Sequence, residues 1–150
     1  MRPKVDFSNQ FRQIQPKFSR FYSLLLTELD LTLPQFALLS EIASRGPISM
    51  TEASRKLHLT KPAITHLVDQ LEKKGRLKRA AHSKDRRVYL LEIHPKGKKI
   101  VREIQGEVLK LLLKTLGQFR PKEKETIQRF YLSLSENLDQ VLIKPASKET

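Results

Sequence analysis

The chain has 150 residues, enough for one domain whose core needs no metal or disulfide. It has no cysteine, which excludes disulfide frameworks, thiolate zinc sites and cysteine redox sensing. Its net charge of +13 is concentrated: residues 51–100 carry fourteen Lys/Arg against five Asp/Glu, a balance of +9, whereas residues 1–50 (six against four) and 101–150 (nine against seven) each stand at +2.

No apolar run approaches the length needed to span a bilayer, and the start, MRPKVDFSNQF, has no apolar signal-peptide core. The expectation is a cytoplasmic protein with no membrane partner. A concentrated positive region attracts polyanions and steers them. Nucleic acid is the first candidate, an anionic membrane surface the second. At the level of charge alone, a basic face kept for solubility competes with both.

In the first segment, Phe7, Phe11, Ile14, Phe18, Phe21 and Leu25 recur at spacings of three and four, one helical stripe. Pro16 predicts a kink or a restart within it. The stretch LTLPQF opens a second helix. Thr32 and Gln35 have the spacing of a capping box, and Leu31 and Phe36 that of a hydrophobic staple. Phe36, Leu39 and Ile42 follow on one face, and Gly46-Pro47 ends the helix. Ser49 and Glu52 cap a short third helix that ends near Leu57. After the tight connection HLT, Thr60 caps a fourth, KPAITHLVDQLEKKG. Its Pro62 is tolerated because the first turn needs no amide donor. Ile64, Leu67, Val68 and Leu71 form its buried stripe, and Gly75 ends it.

Two β-like runs come next, RLKRAA and RVYLLEI, joined by the turn HSKD. After Pro95 and Gly97, helical spacing returns through Ile100, Ile104, Val108, Leu111 and Leu112. Pro121 starts a last helix with a stripe of Ile127, Phe130, Tyr131, Leu134, Leu138, Val141 and Leu142. The tail KPASKET is expected to fray.

The middle third therefore reads helix, short helix, tight turn, helix, β-hairpin. A short helix followed closely by another has helix-turn-helix geometry, and the second helix of such a pair can lie in the DNA major groove. Any two packed helices can mimic that spacing; the hairpin directly after it distinguishes this pattern. With the apolar stripe facing in, the fourth helix turns Lys61, Pro62, Thr65, His66, Asp69, Gln70 and Lys73 outward. Its N-terminus, capped by Thr60, also offers free amides and a positive dipole to phosphate. Thr65 and His66 are placed to read base edges; Lys61 and Arg55 are placed to meet phosphate or bases.

A basic hairpin after such a helix reads as a wing. Its tip, SKDRR, brings Lys84, Arg86 and Arg87 together with Asp85. An arginine on a thin hairpin can enter the minor groove, where narrow tracts have the most negative potential. Asp85, two residues before Arg87, is expected to hold the guanidinium through charge-assisted hydrogen bonds. The competing reading is an ordinary charged turn with a surface ion pair of little worth.

The stretches LTLPQFALLSEIA, LTKPAITHLVDQLEKKGRLKR and DRRVYLLEIHPKG resemble the MarR family of transcriptional regulators. Asp85-Arg86-Arg87 matches the family's Asp-x-Arg wing turn, and the resemblance marks Arg87 as the minor-groove arginine. Lys96 and Gly97 match the family's Lys-Gly. Ile93 and His94 stand where the family usually has Leu-Thr, so the threonine available to cap the next helix has no counterpart here.

The resemblance implies a single, mainly α domain over 1–150. A winged helix-turn-helix lobe would occupy about 31–97, and dimerisation helices about 7–29 and 98–143. It also implies a homodimer in which Phe11, Phe18, Ile127, Phe130, Tyr131, Leu134, Leu138 and Leu142 pack between subunits. The partner would be double-stranded DNA carrying an inverted-repeat operator, with half-sites about one turn, or roughly 34 Å, apart. The family often binds small aromatic or lipophilic effectors. Phe11, Phe18, Phe21, Phe36 and Leu112 are candidates to line such a cavity.

Three functions compete at this stage. They are an effector-responsive regulator, an architectural or weakly specific DNA binder, and an enzyme acting on nucleic acid. The architectural reading would show shallow preference and steep salt dependence. For the enzyme, the sequence offers no paired carboxylates, nucleophile in context or glycine-rich phosphate loop. The four histidines, His58, His66, His82 and His94, lack the close pair spacing of a metal helix, so no metal or other cofactor is assigned.

Overall fold

The computed structural model describes residues 6–143; the expectation for KPASKET lies outside them. Nine elements follow in chain order: α1 (Phe7–Glu28), α2 (Leu33–Arg45), β1 (Ile48–Ser49), α3 (Met50–Leu57), α4 (Lys61–Lys73), β2 (Leu77–Ala81), β3 (Tyr89–Ile93), α5 (Pro95–Leu116) and α6 (Pro121–Ile143). The chain falls into two compact units, Met1–Gly106 and Glu107–Thr150.

α1 is continuous through Pro16, with no restart. Arg12, whose carbonyl loses its helical donor to the proline, is exposed, as is Pro16, so water can satisfy that carbonyl. α2 starts with both halves of the expected capping box: Gln35 N donates to Thr32 Oγ1 at 3.4 Å, and Thr32 N donates to Gln35 Oε1 at 3.1 Å. α3 repeats the device, with Glu52 N donating to Ser49 Oγ at 3.2 Å and Ser49 N to Glu52 Oε2 at 2.8 Å. The backbone bond from Ser49 is the main cause holding the Glu52 carboxyl below its ordinary range. α3 closes on His58 in the left-handed region, at φ 52°. Ser54 Oγ spans the turn to the Leu59 carbonyl at 2.5 Å.

α4 buries Ile64, Leu67, Val68 and Leu71, the four residues its spacing predicts. They join Leu38, Leu39 and Ile42 of α2, Leu77 and Leu91 of the sheet, and Val101 and Ile104 of α5 in one core. Phe36 lies at the edge of this core, its ring 6.4 Å from Tyr22.

The sheet has three antiparallel strands in the order β1-β3-β2. β1 is not visible in the sequence pattern: two residues, Ile48 and Ser49, pair with Leu91 and Leu90. They are too few to show an alternation. β2 and β3 pair from Leu77↔Ile93 to Ala81↔Tyr89. β3 is shorter than the run RVYLLEI, so Arg87 and Val88 belong to the connection.

α5 begins at Pro95, so Gly97 sits in its first turn and not before it. His94 supplies the cap that the missing threonine would have given. Its Nδ1 accepts from Lys96 N at 3.2 Å, and its carbonyl accepts from Lys98 N at 3.0 Å. Gly97 is required by close approach: a Cβ there would lie 2.2 Å from the Arg76 carbonyl oxygen, which itself accepts from His94 N. In α6, by contrast, no residue is buried, and α1 buries only Leu26. Among the described residues, no helix is long and apolar enough to cross a membrane.

Two glycines of α5 should therefore respond in opposite directions. Gly97→Ala is expected to destabilise by about 1–3 kcal/mol through overpacking. Gly106 has open space where its Cβ would stand, so Gly106→Ala should stabilise by about 0.5–1 kcal/mol through helix propensity. Urea denaturation at one fixed protein concentration measures both; midpoints moving the same way would contradict the packing account.

Candidate nucleic-acid interface

The core stripe of α4 fixes which residues point away from it. Lys61, Pro62, Thr65, His66, Asp69 and Lys73 are exposed, and Gln70 is half-buried. Thr60 Oγ1 accepts from Ala63 N at 3.3 Å and caps the helix. Thr65 Oγ1 donates back to the Lys61 carbonyl at 3.0 Å, leaving its lone pairs available. Arg55 is exposed on α3, which packs against α4. Lys84, Asp85, Arg86 and Arg87 are all exposed in the β2–β3 connection.

The role expected of Asp85 is corrected. Its Oδ1 accepts from the backbone N–H of Arg87 at 2.9 Å, and its carbonyl accepts from Val88 N at 3.1 Å. A short carboxylate two residues ahead reaches the main chain before it reaches a long guanidinium, which gives an Asx-type turn. Asp85 thus shapes the loop under Arg87. Among the described residues, the Arg87 guanidinium makes no ion pair. His82 assists at the other side, with Nδ1 accepting from Lys84 N at 3.2 Å.

The positive middle of the chain divides into two groups. Five of the fourteen cations between 51 and 100 have internal partners. Lys56 pairs with Glu41 at 2.7 Å, and Lys78 with Glu92 at 2.9 Å. Lys74 pairs with the Asp30 carboxylate at 2.7 Å, and its hydrogen bond lowers the Asp30 pKa. Arg76 donates to the carbonyls of Asp30 at 2.7 Å and Leu29 at 2.8 Å, at the end of α1. Arg79 of β2 grips α4, binding Asp69 at 2.5 Å and also Glu72. The Asp69 hydrogen bond is the first cause that raises the Arg79 pKa.

The remaining nine cations, Arg55, Lys61, Lys73, Lys84, Arg86, Arg87, Lys96, Lys98 and Lys99, make no ion pair among the described residues and are exposed. They lie on α3, both ends of α4, the wing and the first turn of α5. Lys96 stands out in the sequence only through the Lys-Gly match, and Lys98 and Lys99 carry no signal beyond the visible basic run KGKK. The Arg79 clamp joins residues of two different elements and has no local signature.

The residues assigned to dimerisation remain open to solvent. Phe11, Phe130, Tyr131, Leu134, Leu138 and Leu142 are exposed, and Phe18 and Ile127 are half-buried. Within the second unit, an apolar groove of about 660 Å³ runs between α5 and α6, lined by Leu109, Leu112, Leu116, Ile127, Tyr131 and others.

Residues 31–89 match the MarR family. The transcriptional regulator AdcR of Streptococcus pneumoniae is 30% identical over 111 residues, covering 72% of this chain and 75% of AdcR. A MarR family protein from Bacillus stearothermophilus has a similar structure, with TM-score 0.76 and 25% identity over 88% of this chain and 92% of that one. A mutant of Staphylococcus aureus MepR, solved bound to an oligodeoxyribonucleotide, shares the fold at TM-score 0.69 and 20% identity, over 88% of this chain and 97% of that one. With its helix-turn-helix, its basic wing and these likenesses, the chain belongs to the MarR family and is a DNA-binding transcriptional regulator.

Proposed function

We propose that the protein works as a homodimer on an inverted-repeat operator, with α4 of each protomer in the major groove and Arg87 of each wing in the minor groove. The observation that carries this reading is the division of charge: the nine cations without an ion pair among the described residues lie on α3, α4, the wing and the start of α5. In this arrangement Thr65 and His66 read base edges. Arg55, Lys61, Lys73, Lys84 and Arg86 meet phosphates, helped by the positive end of the α4 dipole. Thr60 and Pro62 shape that helix start, and Asp85 holds the loop that presents Arg87.

The exposed apolar stripe of α6 supports the dimer. A helix of 23 residues with none buried gains little from its own chain, and a second copy would remove that surface from water. The groove beside Leu112 has the apolar lining that a lipophilic effector needs. Such an effector regulates only if it binds one arrangement of the protomers more tightly than another.

Three measurements test this reading. Selection on a random duplex pool at near-physiological salt should enrich an inverted repeat with half-sites about one turn apart. DNA retained without enrichment would favour the architectural binder. On the enriched site, Arg87→Ala should weaken binding at least about tenfold, roughly 1.4 kcal/mol, with unchanged circular dichroism; unchanged affinity would remove the wing from the mechanism. Arg79→Ala should also weaken binding, by roughly three- to tenfold at low salt and less as salt rises. It unmasks Asp69 and Glu72 on the helix facing DNA. Fluorescence anisotropy over a salt series measures both losses.

A further inference from the structure

His66 is one link in a chain of side-chain hydrogen bonds whose polarity is set from inside the protein. Gln35 of α2 is buried, at 3% exposure. Its Oε1 accepts from the Thr32 backbone N–H at 3.1 Å. A backbone N–H can only donate, so the oxygen of the Gln35 amide must face it and Nε2 must face away. That Nε2 donates to Gln70 Oε1 at 2.8 Å. The Gln70 amide is thereby oriented as well, with Nε2 directed at His66 Nε2 at 3.0 Å. An amide nitrogen has only hydrogens to offer, so His66 Nε2 must accept. The neutral imidazole then carries its proton on Nδ1. His66 is exposed, and Nδ1 has no hydrogen-bond partner among the described residues.

We infer that Gln35 and Gln70 are positioning residues that lock His66 into its Nδ1–H tautomer. The recognition helix then presents a hydrogen-bond donor at this point and selects an acceptor on the base edge. The inference rests on the reading that α4 enters the major groove. There the acceptors are guanine N7 and O6, adenine N7 and thymine O4, and the excluded partners are the amino groups on cytosine N4 and adenine N6. A free imidazole exchanges its proton between the two nitrogens and can match either kind of edge. The relay removes that ambiguity. Thr65 has no such lock: its hydroxyl donates within its own helix and can rotate away. Most of the relay lies behind the surface that meets DNA, so a substitution at residue 70 should alter sequence preference through His66.

The test reads the tautomer and the DNA preference separately. Long-range ¹H–¹⁵N NMR of the full-length protein, at a pH well above the ordinary histidine range, assigns the proton of the His66 ring. The expected result is Nδ1–H in the wild type and Nε2–H in Gln70→Glu, whose carboxylate can only accept. Gln70→Ala should give a mixture. Selection on the random duplex pool with each variant then gives the half-site. His66→Ala should relax one position, and Gln70→Glu should shift preference at that same position by about tenfold relative to the others. Ratios between sequences are compared, so the added charge of Gln70→Glu cancels. Circular dichroism checks that each variant is folded, and Gln70→Ala stands in if Gln70→Glu is not.

A wild-type ring protonated on Nε2 overturns the relay. So does a position that His66→Ala relaxes but neither Gln70 variant alters; the groove reading of α4 survives both results. A ring locked on Nδ1–H, with a motif that His66→Ala leaves untouched or weakens equally at every sequence, overturns the base-reading step and places the fault in the groove reading.

Discussion

The rotation of α4 about its own axis is the constraint on which the interface depends. Ile64, Val68 and Leu71 are fully enclosed and Leu67 nearly so. A turn of the helix by one residue, about 100°, would pull part of that stripe into water. Losing even one such side chain from the core costs about 1.5–3 kcal/mol, a large fraction of the stability of a small domain. The direction in which His66, Thr65 and Lys61 point is therefore set by residues that never touch a ligand. Thr60 fixes where the helix starts and Gly75, at φ +66°, where the chain leaves it. Between those limits the outer face has little freedom to drift.

A second layer of control is electrostatic. Arg76 and Lys74 neutralise the end of α1, and Arg79 covers the two carboxylates that α4 would otherwise turn outward. These exposed or half-exposed pairs add little to stability one by one. Their larger effect is on the surface potential. With Asp69 and Glu72 masked, the cations around α4 act on an approaching polyanion with less opposition. The same positive residues that raise the net charge thus do two jobs, and only the pairing in three dimensions tells them apart.

That division marks how much the sequence could disclose. The α4 stripe, both capping boxes and the hairpin rest on contacts within a few residues, and their spacings are legible. The features that needed coordinates join distant segments. β1 exists because Ile48 and Ser49 meet Leu91 and Leu90; two residues carry no periodicity of their own. The Arg79 clamp depends on how β2 lies along α4, and the Gln35–Gln70 bond spans 35 positions. Asp85 partners Arg87 through the arginine's backbone N–H and not its guanidinium, since spacing names the residue and not which of its groups is nearer. Pro16 starts no new helix, because α1 runs through it from Phe7 to Glu28 and the carbonyl it leaves without a donor lies at an exposed residue. The departure at His94 changed nothing in the cap, because an imidazole nitrogen accepts from the helix amide as a threonine hydroxyl would.

The lobe around α4 and the helix α6 obey different physics. The lobe around α4 closes its core within one chain, so its shape is a property of the protomer. None of the apolar residues of α6 is fully buried, so most of the stabilisation they can give must come from association and must depend on protein concentration. In the proposed dimer this difference is functional. The chemistry of reading is fixed locally by the α4 core and the relay to His66. The distance between two readers is fixed by an interface that forms, loosens or accepts a ligand without disturbing either core. A ligand acting on that interface would change the fit to half-site spacing while leaving each recognition helix able to contact its own bases. Regulation would then appear as lost cooperation between half-sites, with base preference within each half-site unchanged.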